Sequence, residues 1–256
     1  MTTTDASSLA PGVPADYYAQ IRAVEDSHWW YRSMRELSVA LLGPGLAGAD
    51  AVLDAGCGSG GFLHWLVDRG SFRSVAGIDV AGAAVELARK RVPGADLRVA
   101  PLAAIPFDDA SFDLVICNDV LQHVDESELA RSLSELRRVL RPEGRLLLRT
   151  NGSRKLRRER SDWRAYDRVT LRSQLEAAGF VVERVTHANL VPSLWGVATR
   201  RVPHAPTEDA HGIPSLQDSA VKSLVASSLL RVEGRILRST PVNLPYGHAL
   251  FALARR

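Results

Sequence analysis

The chain has 256 residues, 46% hydrophobic and 24% charged, with a formal net charge of +3. Such a length and apolar content suit one α/β domain with appendages, the small net charge argues against a polyanion binder, and no apolar run reaches the ~18 residues that would span a bilayer. Basic residues are almost all Arg, with Lys only at Lys90, Lys155 and Lys222, which points to GC-rich coding, and the densest run, Arg154 to Arg160, reads as a solvated loop and helix start.

Met1 to Ser8 lacks the basic start and apolar run of a signal peptide, so residues 1–15 read as a disordered leader of a cytoplasmic protein. Cys57 and Cys117, the only cysteines, read as reduced core residues. Residues 16–48 carry helical spacing, with apolar positions at Tyr17, Tyr18, Ile21, Val24, Trp29, Trp30, Tyr31, Met34 and Leu37. The cluster Glu25 to Arg32 is dense in aromatics for a chain only 6% aromatic. Two readings stay open for it: a helix pair stapled onto the sheet, or a lid whose aromatic faces exclude water and stack on a cation.

The stretch from Ala51 to Phe62 is the centre of the chain. Val52 and Leu53 read as the end of a strand buried on both faces, glycines then permit a sharp turn, and helical spacing resumes to about Asp68. Gly56, Gly58 and Gly61 also satisfy the spacing of dinucleotide-binding turns. Asp54, two residues before the first glycine, would repel a pyrophosphate and suits a cationic ligand. A second strand, Ser74 to Val80, places Asp79 where a carboxylate accepts hydrogen bonds from a ribose diol, which fits either kind of nucleotide.

A helix over 83–91, a short strand over 96–100 and a turn at 106–109 lead to the buried strand 112–117, whose end should bring Asn118, Asp119, Gln122 and His123 to the same crevice. A helix over 127–140, a turn at 141–144 and a strand over 145–149 follow, after which Thr150 and Asn151 emerge on the ligand side. Trp163 and Tyr166 precede a helix over 170–178, capped by Gly179, and a strand over 180–186. From His187 to Thr240 prolines at Pro192, Pro203, Pro206 and Pro214 interrupt the pattern before a helical segment near 219–237, and a last strand spans 249–254.

Leu53 to Gly60, Gly77 to Asp79, Ile105 to Val115, Asn118 to Val124 and Val139 to Arg145, in that order and spacing, give a chain that resembles the class I S-adenosylmethionine-dependent methyltransferases of the small-molecule type over roughly residues 25–190. The resemblance implies a Rossmann-like seven-stranded, mostly parallel sheet with helices on both faces and an antiparallel last strand between the fifth and sixth. It implies an N-terminal helical lid (16–48), a cofactor-binding core (49–186), a substrate or lid insert (187–240) and the final core strand (241–256). The implied cofactor is S-adenosyl-L-methionine, leaving as S-adenosyl-L-homocysteine. Its crevice would rest on Asp54, Gly56, Cys57, Gly58, Gly60, Asp79, Val80, Leu102, Asn118 and Asp119, with Arg32 on the methionine carboxylate and Asp119 in the first turn of a helix.

Tyr18, Trp29, Trp30, Tyr31, Asn151 and Trp195 would face lid and substrate. The chain departs from the family where Pro101 replaces the acid that usually receives the adenine amino group, leaving that task to backbone near Leu102 and Ala103. His123 is the candidate base for a hydroxyl acceptor, or else a helix cap. His187, His204 and His211 lack metal-site spacing and read as surface groups, so no metal is expected. The reading is O-methylation of a small metabolite, ahead of N- or C-methylation, in a bacterial secondary-metabolite or sugar pathway, without nucleic-acid or membrane partners; the insert could instead form a homodimer contact. The alternatives are a methyltransferase-fold protein that binds the cofactor but catalyses a cyclisation, a non-catalytic partner protein, and an NAD-linked oxidoreductase.

Overall fold

Seven strands form one sheet in the order β3-β2-β1-β4-β5-β7-β6. A computed structural model describes residues 16–46, 48–152, 166–198 and 220–256; the expectations placed on 1–15, on Arg154 to Arg160, and on Trp163, His204 and His211 fall outside these residues. The strands are β1 (Ala51–Ala55), β2 (Ser74–Asp79), β3 (Asp96–Val99), β4 (Phe112–Asn118), β5 (Leu140–Asn151), β6 (Val181–Ala188) and β7 (Ala249–Arg255). β1 to β5 run parallel, and β7 lies antiparallel between β5 and β6. The chain winds outward in both directions from the β1–β4 pair, so the crevice of this open sheet lies beyond the carboxyl ends of those two strands.

The helices are α1 (Tyr17–Val24), α2 (Trp29–Leu42), α3 (Gly61–Val67), α4 (Gly82–Arg91), α5 (Glu126–Val139), α6 (Arg168–Ala177), α7 (Leu190–Ala198) and α8 (Ala220–Ser239). Successive strand residues face opposite sides. Leu53, Val115, Cys117, Leu146 and Leu148 pack against Leu133 and Leu136 of α5 and Leu171 and Leu175 of α6. Val52, Leu114, Ile116 and Leu147 pack on the other side, with Met34 and Leu37 of α2 and Leu230 and Leu237 of α8. Strands covered on both faces read as continuous apolar runs, which is why β1 and β4 stand out in the sequence.

Two local features differ from expectation. Residues 141–144 do not end a turn before β5 but belong to it as an irregular stretch: Phe112 pairs with Leu140, and the register then jumps so that Leu114 pairs with Arg145. Pro192 lies in the first turn of α7, where its missing N–H costs the helix nothing. Glu233 of α8 accepts hydrogen bonds from the Asn189 and Leu190 amides and so holds the start of that helix. The α8 helix packs along α2, bringing the end of the 187–240 stretch against the N-terminal helices.

Gly56 turns the chain out of β1 with φ +100°, and a Cβ there would overlap Val120 Cγ2, which closes over the turn from the end of β4. Gly56→Ala should therefore cost about 2 kcal/mol or more, seen as a fall of about 5 °C in the thermal unfolding midpoint. The double variant Gly56→Ala/Val120→Ala should recover part of that loss, because it removes the overlap but not the backbone strain.

Candidate active site

The pleat decides which side chains meet at the crevice. Asp54 lies two residues beyond Val52, Asn118 two beyond Ile116 and Arg149 two beyond Leu147, so all three project from the sheet face that α2 covers. Asp79 joins them, because Gly77 pairs with Asp54 and Asp79 follows it by two. Four polar side chains thus stand on one face at the ends of four adjacent strands.

Asp54 is 2% exposed, and its Oδ1 is buried with no hydrogen-bond partner among the described residues. Burial above all, and then the neighbouring Asp79, push its carboxyl up to about 7 against the opposing pull of Arg149. Both side-chain atoms of Asn118 are likewise buried without a partner there. Buried polar atoms left unmatched cost about 1–3 kcal/mol each. A carboxylate oxygen and a carboxamide held open side by side suit a ligand that brings a cation and hydrogen-bonding groups.

The glycine turn is laced to β2, with Gly56 and Cys57 amides both donating to the Ile78 carbonyl at 2.8 and 2.9 Å. Gly58 has φ +52° and nothing within 4 Å of where a Cβ would stand, so the turn is bare and open at this residue. Its amide donates to Asp79 Oδ2 at 2.9 Å, while the Ala81 amide donates to Oδ1 at 3.0 Å. The Tyr18 phenol of α1 lies beside the same carboxylate, whose charge adds to burial in pushing that phenol up. Asp79 is therefore in place for a ribose diol, but the chain already occupies part of its accepting capacity. Gly60, left-handed, opens α3. Cys57 is buried, its thiol pushed up by burial. Val80 projects an apolar side chain into solvent at 52% exposure, whereas Leu102 packs into the main core after Pro101.

Several expectations need correction. Asp119 is not in a helix's first turn: it stands in the left-handed region with φ 57° and takes Arg149 through both oxygens, at 3.1 and 2.6 Å. A short 3₁₀ turn, Leu121–His123, comes next, and α5 starts only at Glu126. Arg32 is exposed on α2; the guanidinium buried on that helix is Arg35, paired with Glu25 and Asp26. Trp29 is a core side chain, sharing a cluster with Met34, Leu37 and Ile116. His187 is buried rather than on the surface, and burial holds its imidazole below the usual range.

The rest of the aromatic cluster has other surroundings. Burial above all, then the neighbouring Tyr17, Glu25 and Asp119, push the Tyr31 phenol up. Trp30 packs edge-on to His248 at 5.9 Å between ring centres. His28 caps α2, its Nδ1 accepting from the Trp30 amide. Trp195 lies on α7, its side chain outside the described residues.

At the β4–β5 end, Gln122 Oε1 accepts from Thr150 Oγ1 at 3.2 Å and from the Asn151 amide at 3.1 Å. That fixes the carboxamide, so its Nε2 faces His123 Nε2, 3.5 Å away. His123 itself is exposed at the rim. Sequence reasoning placed Gln122 at the crevice but missed Glu25, Arg149 and His248 as neighbours of the site. Arg149 alone carried a signal, as a charge inside an apolar strand that demands a partner. Among the described residues no group of three or more His, Cys, Asp or Glu is placed to hold a metal ion, and no helix is long and apolar enough to cross a membrane.

Residues 53–148 match a family model described as a methyltransferase domain. A protein of Mycolicibacterium smegmatis named "Probable S-adenosylmethionine-dependent methyltransferase" is 33% identical over 183 residues, 69% of this chain and 69% of that protein. A malonyl-[acyl-carrier protein] O-methyltransferase of Methylococcus capsulatus is 35% identical over 147 residues, spanning 52% of this chain and 53% of the relative. The crystal structure of the [4+2]-cyclase SpnF superimposes with a TM-score of 0.58 at 20% identity, covering 89% of this chain and 82% of the cyclase, a likeness of fold alone.

Because the folded chain keeps a proton on Asp54 that the unfolded chain releases at ordinary carboxylate pH, the contribution of this group to stability is fully present below about pH 4 and is lost as pH rises through about 7. In the ligand-free protein, Asp54→Asn should raise the unfolding midpoint at pH 8 by several degrees. It should also flatten the fall between pH 4 and 7, as read by thermal scans across that range.

Proposed function

The chain belongs to the class I S-adenosylmethionine-dependent methyltransferases, and from that premise we propose that it moves the S-methyl group to an oxygen of a small-molecule acceptor held where β4 and β5 end beneath the N-terminal helices. Family membership replaces the oxidoreductase and non-catalytic readings. The observation that carries the site is the buried, unpartnered Asp54 Oδ1 beside the open turn at Gly58, with Asn118 on the same face. Oxygen as the acceptor atom is supported by the O-methyltransferase named above, which matches over about half its length.

S-adenosylmethionine, when bound, supplies an electrophilic methyl on a sulfonium centre. The residues present fit it. Asp54 and Asp79 give the crevice a negative potential suited to the cationic methionine end, and Asp54 would accept from its ammonium group. Asp79 would accept the ribose hydroxyls with the capacity that the Gly58 and Ala81 amides leave it. Val80 and Leu102 would flank the base, and with Pro101 in place of an acid, backbone near Leu102 and Ala103 would meet its amino group. Cys57, Gly56 and Gly60 shape the turn, and Asp119 holds Arg149 rather than the ligand.

Methyl transfer needs the acceptor in line and in near contact, and most of the acceleration comes from that positioning. Tyr18 and Tyr31 exclude water from the crevice. For a hydroxyl acceptor, His123 takes the proton. Thr150 and Asn151 occupy the oxygen of the Gln122 amide, so its N–H groups point at His123 Nε2, and that nitrogen would take the proton in exchange for the amide contact. Trp30 and Asn151 border the acceptor side.

With S-adenosylhomocysteine as the calorimetric probe, Asp79→Ala should weaken binding about tenfold or more, whereas His123→Ala should bind as wild type and turn over a hydroxyl acceptor about 100-fold more slowly. The product should gain one methyl group by mass. An unchanged product mass with the cofactor retained would instead favour cyclisation, and normal turnover by His123→Ala would remove the base assignment.

A further inference from the structure

The link between α1 and α2 drives an acid under the glycine turn. Glu25 is 6% exposed; its Oε1 accepts from the Ser59 hydroxyl and from Arg91 of α4, and its Oε2 from Arg35 of α2 at 3.3 Å. Asp26 beside it accepts from both guanidinium groups. Gly61 is bare where Glu25 stands, and a Cβ there would overlap the carboxylate. Ser59 is 2% exposed, its hydroxyl committed to this carboxylate. A buried acid between two buried guanidinium groups is tolerable only when matched on every side, and here three donors from three elements meet it.

We infer that Glu25 is a positioning residue for the cofactor: through Ser59 it holds the Gly58–Gly60 turn, and through Arg91 and Arg35 it ties that turn to α4 and α2. The inference rests on the reading of the crevice as the S-adenosylmethionine site. The turn it holds is the one whose Gly58 amide fixes Asp79, so a loosened turn slackens both halves of the nucleoside grip. It also sets where Tyr18 and Tyr31 fall, because Glu25 anchors the chain between their helices. The acid's effect is therefore on cofactor affinity rather than on the transfer step.

The test compares wild type, Glu25→Gln, Ser59→Ala and Ser59→Thr by calorimetry with S-adenosylhomocysteine, thermal unfolding and steady-state kinetics. Glu25→Gln should raise Kd and the cofactor KM about tenfold, with kcat at saturating cofactor within about threefold. Ser59→Ala, which leaves the ion pairs intact, should fold, and its Kd should rise in the same direction; Ser59→Thr, which keeps the hydroxyl, should bind like wild type. A folded Ser59→Ala with wild-type Kd overturns the inference, as does a Glu25→Gln that loses kcat with Kd unmoved; if Glu25→Gln does not fold, Ser59→Ala decides. Wild type that fails to bind S-adenosylhomocysteine overturns the cofactor reading itself.

Discussion

A carboxylate withdrawn from water at the end of β1, with one oxygen left unmatched, is the constraint around which this molecule is arranged. The fold gains nothing from it: burial and the second acid at the end of β2 both work against its ionised form, and Arg149 offsets them only in part. Such a group is tolerated where it meets something the chain does not itself supply. The strand pleat then accounts for the company it keeps, since the same two-residue step brings Asp79, Asn118 and Arg149 to the same face.

Of the two readings of the N-terminal helices, the helix pair stapled onto the sheet has its contacts in α2. Trp29 and Met34 are buried in one cluster with Val52, Leu114 and Ile116 of the strands, so α2 is an integral layer of the fold. Tyr18 of α1 and Tyr31 of α2 lie near enough to Asp79 and Asp119 for those carboxylates to help push both phenols up. One aromatic segment thus meets two surroundings, divided by helical phase: Trp29 and Tyr31 lie two residues, and so over half a turn, apart.

Much of the architecture was legible in the sequence because its elements rest on local rules. Apolar runs ending in glycine marked β1 and its turn, and Pro, Gly and helical periodicity placed α4 and α5 within a residue or two. The sheet's outer half, with β7 between β5 and β6, followed only from family resemblance, since nothing in seven alternating residues states which neighbours they pair with. In the candidate site, what was legible is the placement of single residues: Asp54, Gly58 and Asp79 stand together at the ends of β1 and β2. It was not legible where the role belongs to a pair far apart in sequence. Asp119 reads as a helix-start acid until Arg149, thirty positions on, is seen to take it, and Arg32 and Arg35 are distinguished only by which side of α2 meets Glu25.

The two amides that Asp79 accepts, from Gly58 and Ala81, have an entropic corollary. Donors tethered to the same chain cannot be diluted away, so the direction of this carboxylate is settled when the chain folds. For a diol that meets it, the entropy of aiming the acceptor is charged to folding and not to binding.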